Sequence, residues 1–509
     1  MALGNYNASG TWKTAKIVYF CGINPIIMKS TINFNYLLFI TLVAALGGFL
    51  FGYDTAVVSG TNEAVWSFFH IENGSFFAGF FVSAAIIGSI LGALCGGTVS
   101  ERIGRRQSMI FAAILFLASS VWCAVCSSFP ELLIARIFGG FGIGLASVVC
   151  PCYISEMAVA KYRGTLVASY QFAITFGILV AYGVNYLLDL HAGGAAVIDN
   201  PTLWNRIWTT EVWRGMLGMC AVPAAIFLFI LFLVPESPRW LIVRGRVSAA
   251  ESVLGHIYRT KEAVLEEVRA TQNLSSGESS SGQWAYIRKH KGIIKAILIG
   301  MAIAILGQFM GVNAVIYYGP TIFKNVGLED PLLGQVWIGV VNCVTTVIAI
   351  FVIDKVGRKG LVYFGVTGMI ISLLLAAGFL HFKEQWNLSD VLMIVFLGAY
   401  MFCQAISISA IIFVILSEMY PTKVRGLAMS IASMALWIAN WVVSQIFPNL
   451  LEALTLEGTF LLFAACCVPY ILIMWKLVPE TTGKTLEQIE EYWLADDVAE
   501  DATLRGDSI

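Results

Sequence analysis

Two ionisable residues lie deep inside long apolar segments of this sequence. Asp54 falls within LGGFLFGYDTAVVSG (46–60), and Arg136 falls within a second apolar segment that begins near residue 130. A charge at membrane depth is costly, and proteins that retain one usually use it. A carboxylate facing a polar cavity can gain and lose a proton, and an arginine, which stays protonated, stabilises the charged form of a neighbouring acid. A movement that separates the two would favour protonation of Asp54, so the pair predicts a proton-binding site; the alternative is a fixed structural ion pair.

The composition is that of a chain that crosses a membrane many times. Of 509 residues, 58% are hydrophobic and only 12% are charged, whereas a soluble domain carries about 25% charged residues. The net charge of −1 and the lack of a basic arm give no reason to expect a nucleic-acid partner. Cys123-x-x-Cys126 has no second ligand pair and the five histidines are scattered, so we expect no metal and no other cofactor.

Hydropathy predicts an all-α membrane protein with twelve transmembrane helices. A window about 19 residues wide finds the apolar runs, which fall into two groups of six separated by a more polar segment. In chain order, spans 1 to 12 are predicted at residues 36–60, 76–98, 107–127, 130–154, 165–189, 213–234, 292–320, 333–353, 361–381, 391–417, 424–447 and 458–478.

These spans divide the chain into two bundles with an insert between them. Inside the insert, Ser248 is predicted to cap a helix running to Tyr258, residues 261–272 to form a second helix, and residues 275–282 to form a flexible link. No cleavable signal peptide is evident, and Met28 resembles a natural start, so residues 1–27 are interpreted as an upstream extension. The predicted divisions are an N-terminal segment (1–33), an N-terminal bundle (34–234), a cytoplasmic helical insert (235–291), a C-terminal bundle (292–480) and a tail (481–509).

Lysine and arginine are concentrated in the loops on one side of the predicted membrane. The insert and the loops that follow spans 2, 4, 8 and 10 are rich in them, whereas the loops 61–75 and 449–457 contain none. Since positively charged loops remain in the cytoplasm, we expect a multi-pass protein of the cytoplasmic (inner) membrane with both termini and the insert in the cytoplasm.

Three short motifs occur once in each half of the chain, in the same order. Such a repeat indicates two related six-helix bundles, an arrangement in which substrate binds between the halves and is exposed alternately to the two sides. The motifs are ERIGRR (101–106), SEM with a following Lys, Arg and Gly (155–164), and VPE (234–236), repeated as DKVGRK (354–359), SEM (417–426) and VPE (478–480).

Together with FGYD (51–54), PESPRWL (235–241) and PETTGKT (479–485), these motifs resemble the sugar-porter family of the major facilitator superfamily, most closely its bacterial xylose–proton symporters. The likeness covers nearly all of residues 34–495. It implies a monomeric transporter in the lipid bilayer, not an enzyme, that carries a monosaccharide (a pentose such as xylose, or a hexose) together with a proton. It also matches Asp54 and Arg136 to the family's proton-coupling acid and its arginine partner.

Two other functions remain open at this stage. One is a passive facilitator, or a porter of inositol or another polyol. The other is a sugar receptor that signals without net flux, although the short C-terminal tail (about residues 484–509) argues against it.

A sugar site should mix carboxamides, which bind hydroxyls, with aromatic rings, which cover the apolar faces of the sugar. For any single carboxamide in a membrane helix, a bond to a neighbouring helix is an equally good explanation. As a set, the candidates match the family's sugar-contacting positions: Phe51, Gln171, Gln308, Asn313, Tyr317, Tyr318, Asn342, Phe413 and Trp437.

Several positions depart from the family pattern. Gly307 and Leu436 stand where glutamines are expected, Met219 stands where an acid is expected, and the run 409–413 lacks the usual Gly-Pro and tryptophan. Loss of Gly-Pro removes the obvious break in span 10. Gln404, Ser407 and Ser409 are the candidates to bind sugar hydroxyls in place of the missing residues.

The resemblance also implies a cytoplasmic latch, in which charges on the two bundles pair when the protein faces outward. The alternative is that these charges only fix the topology, and for Lys355 and Lys359 we prefer that explanation. The predicted latch residues are Glu101, Arg105, Glu156, Arg163, Glu236, Arg239, Asp354, Arg358, Glu418, Arg425 and Glu480.

Overall fold

The structure is a computed structural model that describes residues 32–159, 162–194, 202–275, 283–421, 424–480, 488–489 and 491–494. Across these residues the regular elements are helices, and one isolated bridge pairs Ile32 with Tyr258. The all-α prediction is therefore confirmed. The proposed upstream extension, residues 1–27, lies outside the described residues.

In the described part of the chain, eleven helices are long and apolar enough to cross a membrane. The first ten correspond to spans 1 to 10 and the eleventh covers spans 11 and 12. Their bounds are Phe34–Val57, Phe76–Ile103, Arg105–Val125, Phe129–Met157, Arg163–Gly193, Val212–Leu231, Lys291–Val326, Pro331–Val356, Arg358–Trp386, Val391–Met419 and Arg425–Lys476.

The helix Arg425–Lys476 contains two crossings. It has 52 residues and is interrupted at Thr455, whose φ of 60° and ψ of 173° are not helical. A straight helix of that length would extend about 78 Å, more than twice the hydrocarbon thickness of a bilayer, about 30 Å. Thr455 thus separates span 11 from span 12, in agreement with the twelve-span prediction.

Two of the spans contain internal breaks. Span 7 consists of Lys291–Phe309 and Val312–Val326, separated at Gly311, which adopts a left-handed φ of 92°. Span 10 is α-helical over Val391–Gln404 and Ala410–Met419, with a π-helical segment, Ala405–Ser409, between them. The expectation that span 10 loses its break with its Gly-Pro is therefore wrong, because a π-helix interrupts it without either residue.

Glycines bring neighbouring backbones close together around the N-terminal site. A Cβ on Gly52 of span 1 would overlap the carbonyl of Ile174 in span 5, and one on Gly140 of span 4 would overlap the carbonyl of Ala85 in span 2. These contacts hold span 1, which carries Asp54, against span 5, and span 4, which carries Arg136, against span 2.

The insert forms four short helices, of which the first three share a small apolar core. The helices are Pro238–Val243, Val247–Ile257, Lys261–Ser275 and Gln283–Lys289. The first is bound to the end of span 2 by the Trp240 indole, which donates to the Glu101 carbonyl over 2.8 Å. We call the side of the protein that carries the insert the insert face, and the other side the opposite face.

Two details of the insert prediction have clear outcomes. The second helix begins at Val247, without a side-chain cap, so Ser248 lies inside it and does not cap it. The predicted helix over 261–272 is present and extends to Ser275. The proposed flexible link falls largely on residues 276–282, which lie outside the described residues.

Candidate functional site

The structure brings Asp54 and Arg136 together as a buried ion pair. Nη1 of Arg136 donates to Oδ1 of Asp54 over 3.0 Å. Arg136 is 3% exposed and Asp54 is 8% exposed. The second carboxylate oxygen, Oδ2, and the Arg136 Nε are buried without a hydrogen-bond partner among the described residues. The pair predicted from two separate apolar segments is therefore a single contact between spans 1 and 4.

Two thiols lie near this pair, Cys123 of the Cys123-x-x-Cys126 motif and Cys220, which the sequence analysis did not single out. Cys123 in span 3 and Cys220 in span 6 are both buried, and both interact electrostatically with Asp54 and Arg136. Cys220 directly follows Met219, the position where the family pattern places an acid. Span 6 thus approaches the pair with a thiol instead of a carboxylate.

An aromatic pair joins the two bundles next to the acid. The rings of Phe51 in span 1 and Trp437 in span 11 are 5.8 Å apart between centroids, at an interplanar angle of 31°. Phe51 lies three residues before Asp54, and residues at that spacing share one face of a helix. The rings therefore lie on the same side of span 1 as the carboxylate.

The carboxamides of span 7 form a bonded pair across its internal break. Asn313 donates from Nδ2 to Oε1 of Gln308 over 2.6 Å, and both side chains are half-buried. Asn342 in span 8 is nearly buried, and Gln171 in span 5 is half-buried. These groups can donate to and accept from sugar hydroxyls.

Asn440 is a polar residue of this region that sequence reasoning missed. It is buried in span 11, donates from Nδ2 to the Tyr317 hydroxyl over 3.4 Å, and accepts from Ser444 over 3.3 Å. Asn440 follows Trp437 by three residues, so the two share one face of span 11, and this spacing could have identified Asn440 from the sequence.

Some candidates do not join this cluster. Tyr318 is fully buried, donates to the Ser444 carbonyl over 2.7 Å and stacks on Phe447. Phe413 is 48% exposed and makes no ring contact with the described aromatic residues.

The three residues sought as replacements in span 10 bond within their own helix. Ser407 donates to the Cys403 carbonyl over 2.5 Å and packs against Gly365 of span 9. Gln404 and Ser409 bond to each other, at 3.2 Å from Nε2 to Oγ.

Comparison with known proteins identifies the family. The profile described as "Sugar (and other) transporter" matches residues 40–493. The chain belongs to this sugar transporter family. It is 37% identical to the D-xylose-proton symporter of Escherichia coli (strain K12), with 92% of this chain and 97% of that protein covered. It is 36% identical to the glucose transport protein of Synechocystis sp., with 91% and 98% covered.

A solved structure agrees with the sequence comparison. The xylose transporter XylE from E. coli, in a partially occluded inward open conformation, superposes with a TM-score of 0.75 at 35% identity, over 89% of this chain and 100% of that one. At that identity the likeness extends beyond a shared fold.

In this sugar transporter the two bundles meet at the opposite face. The Asn62 amide donates to the Tyr317 carbonyl over 2.8 Å, and the Tyr182 hydroxyl donates to the Ile316 carbonyl over 2.9 Å. Ser83 donates to Gln445 over 2.6 Å. Each of these bonds joins the N-terminal bundle to the C-terminal bundle, so the sugar transporter is closed at this face.

At the insert face, the described ion pairs among the predicted latch residues stay within one bundle. Arg105 binds both carboxylate oxygens of Glu156 over 3.0 Å, and Arg358 binds Glu418 over 3.1 Å. Glu236 accepts from the backbone of Arg105 over 2.8 Å. This is the pattern expected when the halves are separated at that face.

The other predicted latch residues lie at the same face. Arg163 donates to the Ser155 carbonyl over 3.1 Å and Arg425 donates to the Tyr420 carbonyl over 3.4 Å. Glu101 and Arg239 are exposed and Glu480 is half-buried, while the side chain of Asp354 lies outside the described part of the chain.

A second buried arginine, which the sequence analysis did not single out, closes the N-terminal bundle at the opposite face. Arg214 bonds to Glu211, donates to the Cys126 carbonyl over 2.5 Å, and lies over the Trp213 ring at 4.3 Å. Burial acts to raise the pKa of Glu211, but hydrogen bonds from Arg206 and Arg214 outweigh burial and lower that pKa. This cluster ties span 6 to the end of span 3 and lies apart from the Asp54 pair.

Proposed function

We propose that this protein is a secondary active transporter that carries a monosaccharide together with a proton by alternating access. The observation that carries the proposal is the buried Asp54–Arg136 pair, which lies one helical turn from an aromatic pair joining the two bundles. Relatives named as a D-xylose-proton symporter and an arabinose-proton symporter, at 37% and 34% identity, support a pentose, and the glucose transport protein of Synechocystis supports a hexose.

In this mechanism Asp54 is the proton carrier. Arg136 holds the carboxylate charged while their 3.0 Å contact persists, and separation of spans 1 and 4 favours protonation because a lone buried carboxylate is costly. The proton then travels with the sugar, and its release on the other side restores the ion pair.

The sugar is held by carboxamides and covered by rings. Gln308 and Asn313 are already bonded to each other over 2.6 Å, and sugar hydroxyls can exchange with that bond. Phe51 and Trp437 close the site from opposite bundles. We assign hydroxyl binding to Gln171, Gln308, Asn313 and Asn342, and ring contacts to Phe51, Tyr317 and Trp437.

We further propose that the insert face is cytoplasmic and that the protein works as a monomer in the inner membrane. The orientation is supported by the concentration of Lys and Arg in the insert and in the loops of that face, whereas the loops 61–75 and 449–457 at the opposite face contain neither. The closed opposite face then makes the structure an inward-facing state.

Uptake into vesicles, with and without an imposed proton gradient, tests the function across a panel of xylose, arabinose, glucose and inositol. We expect accumulation of a pentose or hexose above the external concentration only when the gradient is present. Equilibration without accumulation would show a passive facilitator, transport of inositol alone would show a polyol porter, and binding without flux would show a receptor.

The latch gives a separate prediction. Glu156→Gln or Arg358→Ala removes a charge available for pairing between the bundles in the outward-facing state, so each should shift the protein toward the inward-open state. Binding of an external inhibitor should weaken several-fold. Lys359→Ala is the control, because Lys359 neighbours Arg358 but is not among the predicted latch residues, and its charge is interpreted as a topology signal. Unchanged inhibitor binding in both latch variants would rule out the latch.

A further inference from the structure

Gln445 in span 11 bonds to span 2 through both ends of its side-chain amide. Its Oε1 accepts from the Ser83 hydroxyl over 2.6 Å, and its Nε2 donates to the Phe76 carbonyl over 2.9 Å. Ser83 is 0% exposed and Gln445 is 6% exposed. An amide offers an acceptor and a donor, and here one helix of the other bundle satisfies both.

The two helices also touch backbone to backbone at this point. A Cβ on Gly79 of span 2 would overlap the carbonyl oxygen of Gln445. One turn further along span 11, Asn449 donates to the Gly74 carbonyl. This close approach cannot persist when the bundles part at the opposite face, so the Gln445 bonds form only in the state that is closed there.

Other links at this face are less suited to the same task. The pair between Lys324 and Glu63 is largely exposed, and exposed ion pairs contribute little. Asn62 and Tyr182 each donate to a backbone carbonyl of span 7. The Ser83–Gln445 contact is a buried side chain to side chain bond, so removing either partner removes it.

We propose that Gln445 and Ser83 form a lock at the opposite face that sets the resting balance of the transporter toward the conformation open at the insert face. After releasing its cargo, the empty protein must exchange these bonds for bonds to water before it can present the site on the other side. Because that exchange replaces bonds instead of leaving them unmade, the bias is moderate, about tenfold. The lock sets the conformational balance of the empty protein, whichever solute is carried and whether or not transport is coupled to protons. The proposal therefore goes beyond the proposed function.

The test measures the conformational balance directly, in the full chain reconstituted in liposomes without sugar or gradient. Spin labels at Glu72→Cys and Glu329→Cys, two exposed positions on the loops after spans 1 and 7, report the separation of the bundles at the opposite face, in a background whose accessible cysteines are replaced. Gln445→Leu should raise the ratio of open to closed populations about tenfold, and Ser83→Ala about threefold.

Two comparisons make the outcome specific. The double variant should shift the ratio by little more than Gln445→Leu alone, because the two residues act partly through one bond. Ser89→Ala is the matched control, since the hydroxyl of this buried serine donates to the Ala85 carbonyl of the same helix, over 2.9 Å, and its loss should leave the ratio unchanged. Where the protein transports, Gln445→Leu should also lower the external KM, because more copies present the outward-facing site.

A folded Gln445→Leu protein with the original distance distribution would overturn the proposal, as would an equal shift in Ser89→Ala. If Gln445→Leu fails to fold, the test rests on Ser83→Ala, which deletes a single oxygen atom. An unchanged ratio of open to closed populations in that variant would overturn the proposal. Since neither sugar nor proton enters the distance measurement, its result is independent of whether the proposed symport is correct.

Discussion

Replacement of Asp54 by asparagine should abolish uphill accumulation, bringing the ratio of internal to external sugar to about one. Asparagine keeps the size of the side chain and can still accept from Arg136 at the position of Oδ1, which lies 3.0 Å from Nη1. It cannot bind and release a proton. A driving force of 100 mV is worth about 2.3 kcal/mol per proton, enough for about 50-fold accumulation, and that whole factor should disappear.

Accumulation of labelled sugar in energised vesicles is the measurement, with exchange of labelled for unlabelled sugar measured alongside it. Exchange can survive, because it needs binding and rocking but no net proton transfer. Asp189→Asn is the control. Asp189 is exposed near the end of span 5, so this variant should accumulate sugar normally. Full accumulation by Asp54→Asn would exclude this residue as the carrier.

Replacement of Gln308 by alanine should raise the KM for the transported sugar by about 10- to 100-fold. The change removes a hydroxyl partner and also leaves Asn313 without the bond it makes over 2.6 Å. One lost bond costs about 0.5–1.5 kcal/mol, and an unpaired buried group costs about 1–3 kcal/mol. Because both side chains are only half-buried, we expect the lower part of the combined range, and about 1.4–2.7 kcal/mol corresponds to 10- to 100-fold.

Gln404→Ala provides the contrast. Gln404 is a buried glutamine, whereas Gln308 is half-buried, and Gln404 bonds to Ser409 within span 10 over 3.2 Å. We expect the KM of Gln404→Ala for the sugar to change by less than about threefold, because the variant only exchanges one hydrogen bond for a bond to water. A larger effect for Gln404→Ala than for Gln308→Ala would contradict this assignment and would place the hydroxyl-binding residues on span 10 instead of span 7.

Local sequence signals were enough to predict the transmembrane spans and the buried charged residues. Asp54 and Arg136 are visible because each is an ionisable residue in a long apolar run, and Thr455 lies in the predicted loop 449–457, between spans 11 and 12. Hydropathy depends on each segment by itself, so it recovers features that belong to one helix.

Contacts between helices gave no such signal. Ser83 and Gln445 are 362 positions apart, and each looks like an ordinary polar residue of a membrane helix. The departure at Met219 likewise gave no hint of the Cys220 thiol near Asp54. The π-helix of span 10 could not be anticipated either, because no residue type marks it.

That π-helical segment, Ala405–Ser409, has a genetic consequence. Because such a segment amounts to one extra residue within an α-helix, removing any single residue from it would restore a continuous helix. The residues beyond it, Ala410–Met419, would keep their orientation, because the wider turn absorbs the extra residue locally, and Glu418 would still meet Arg358. Span 10 should therefore tolerate a one-codon deletion within this stretch, whereas a deletion in Ala410–Met419 ahead of Glu418 would turn the rest of the helix by about 100° about its axis.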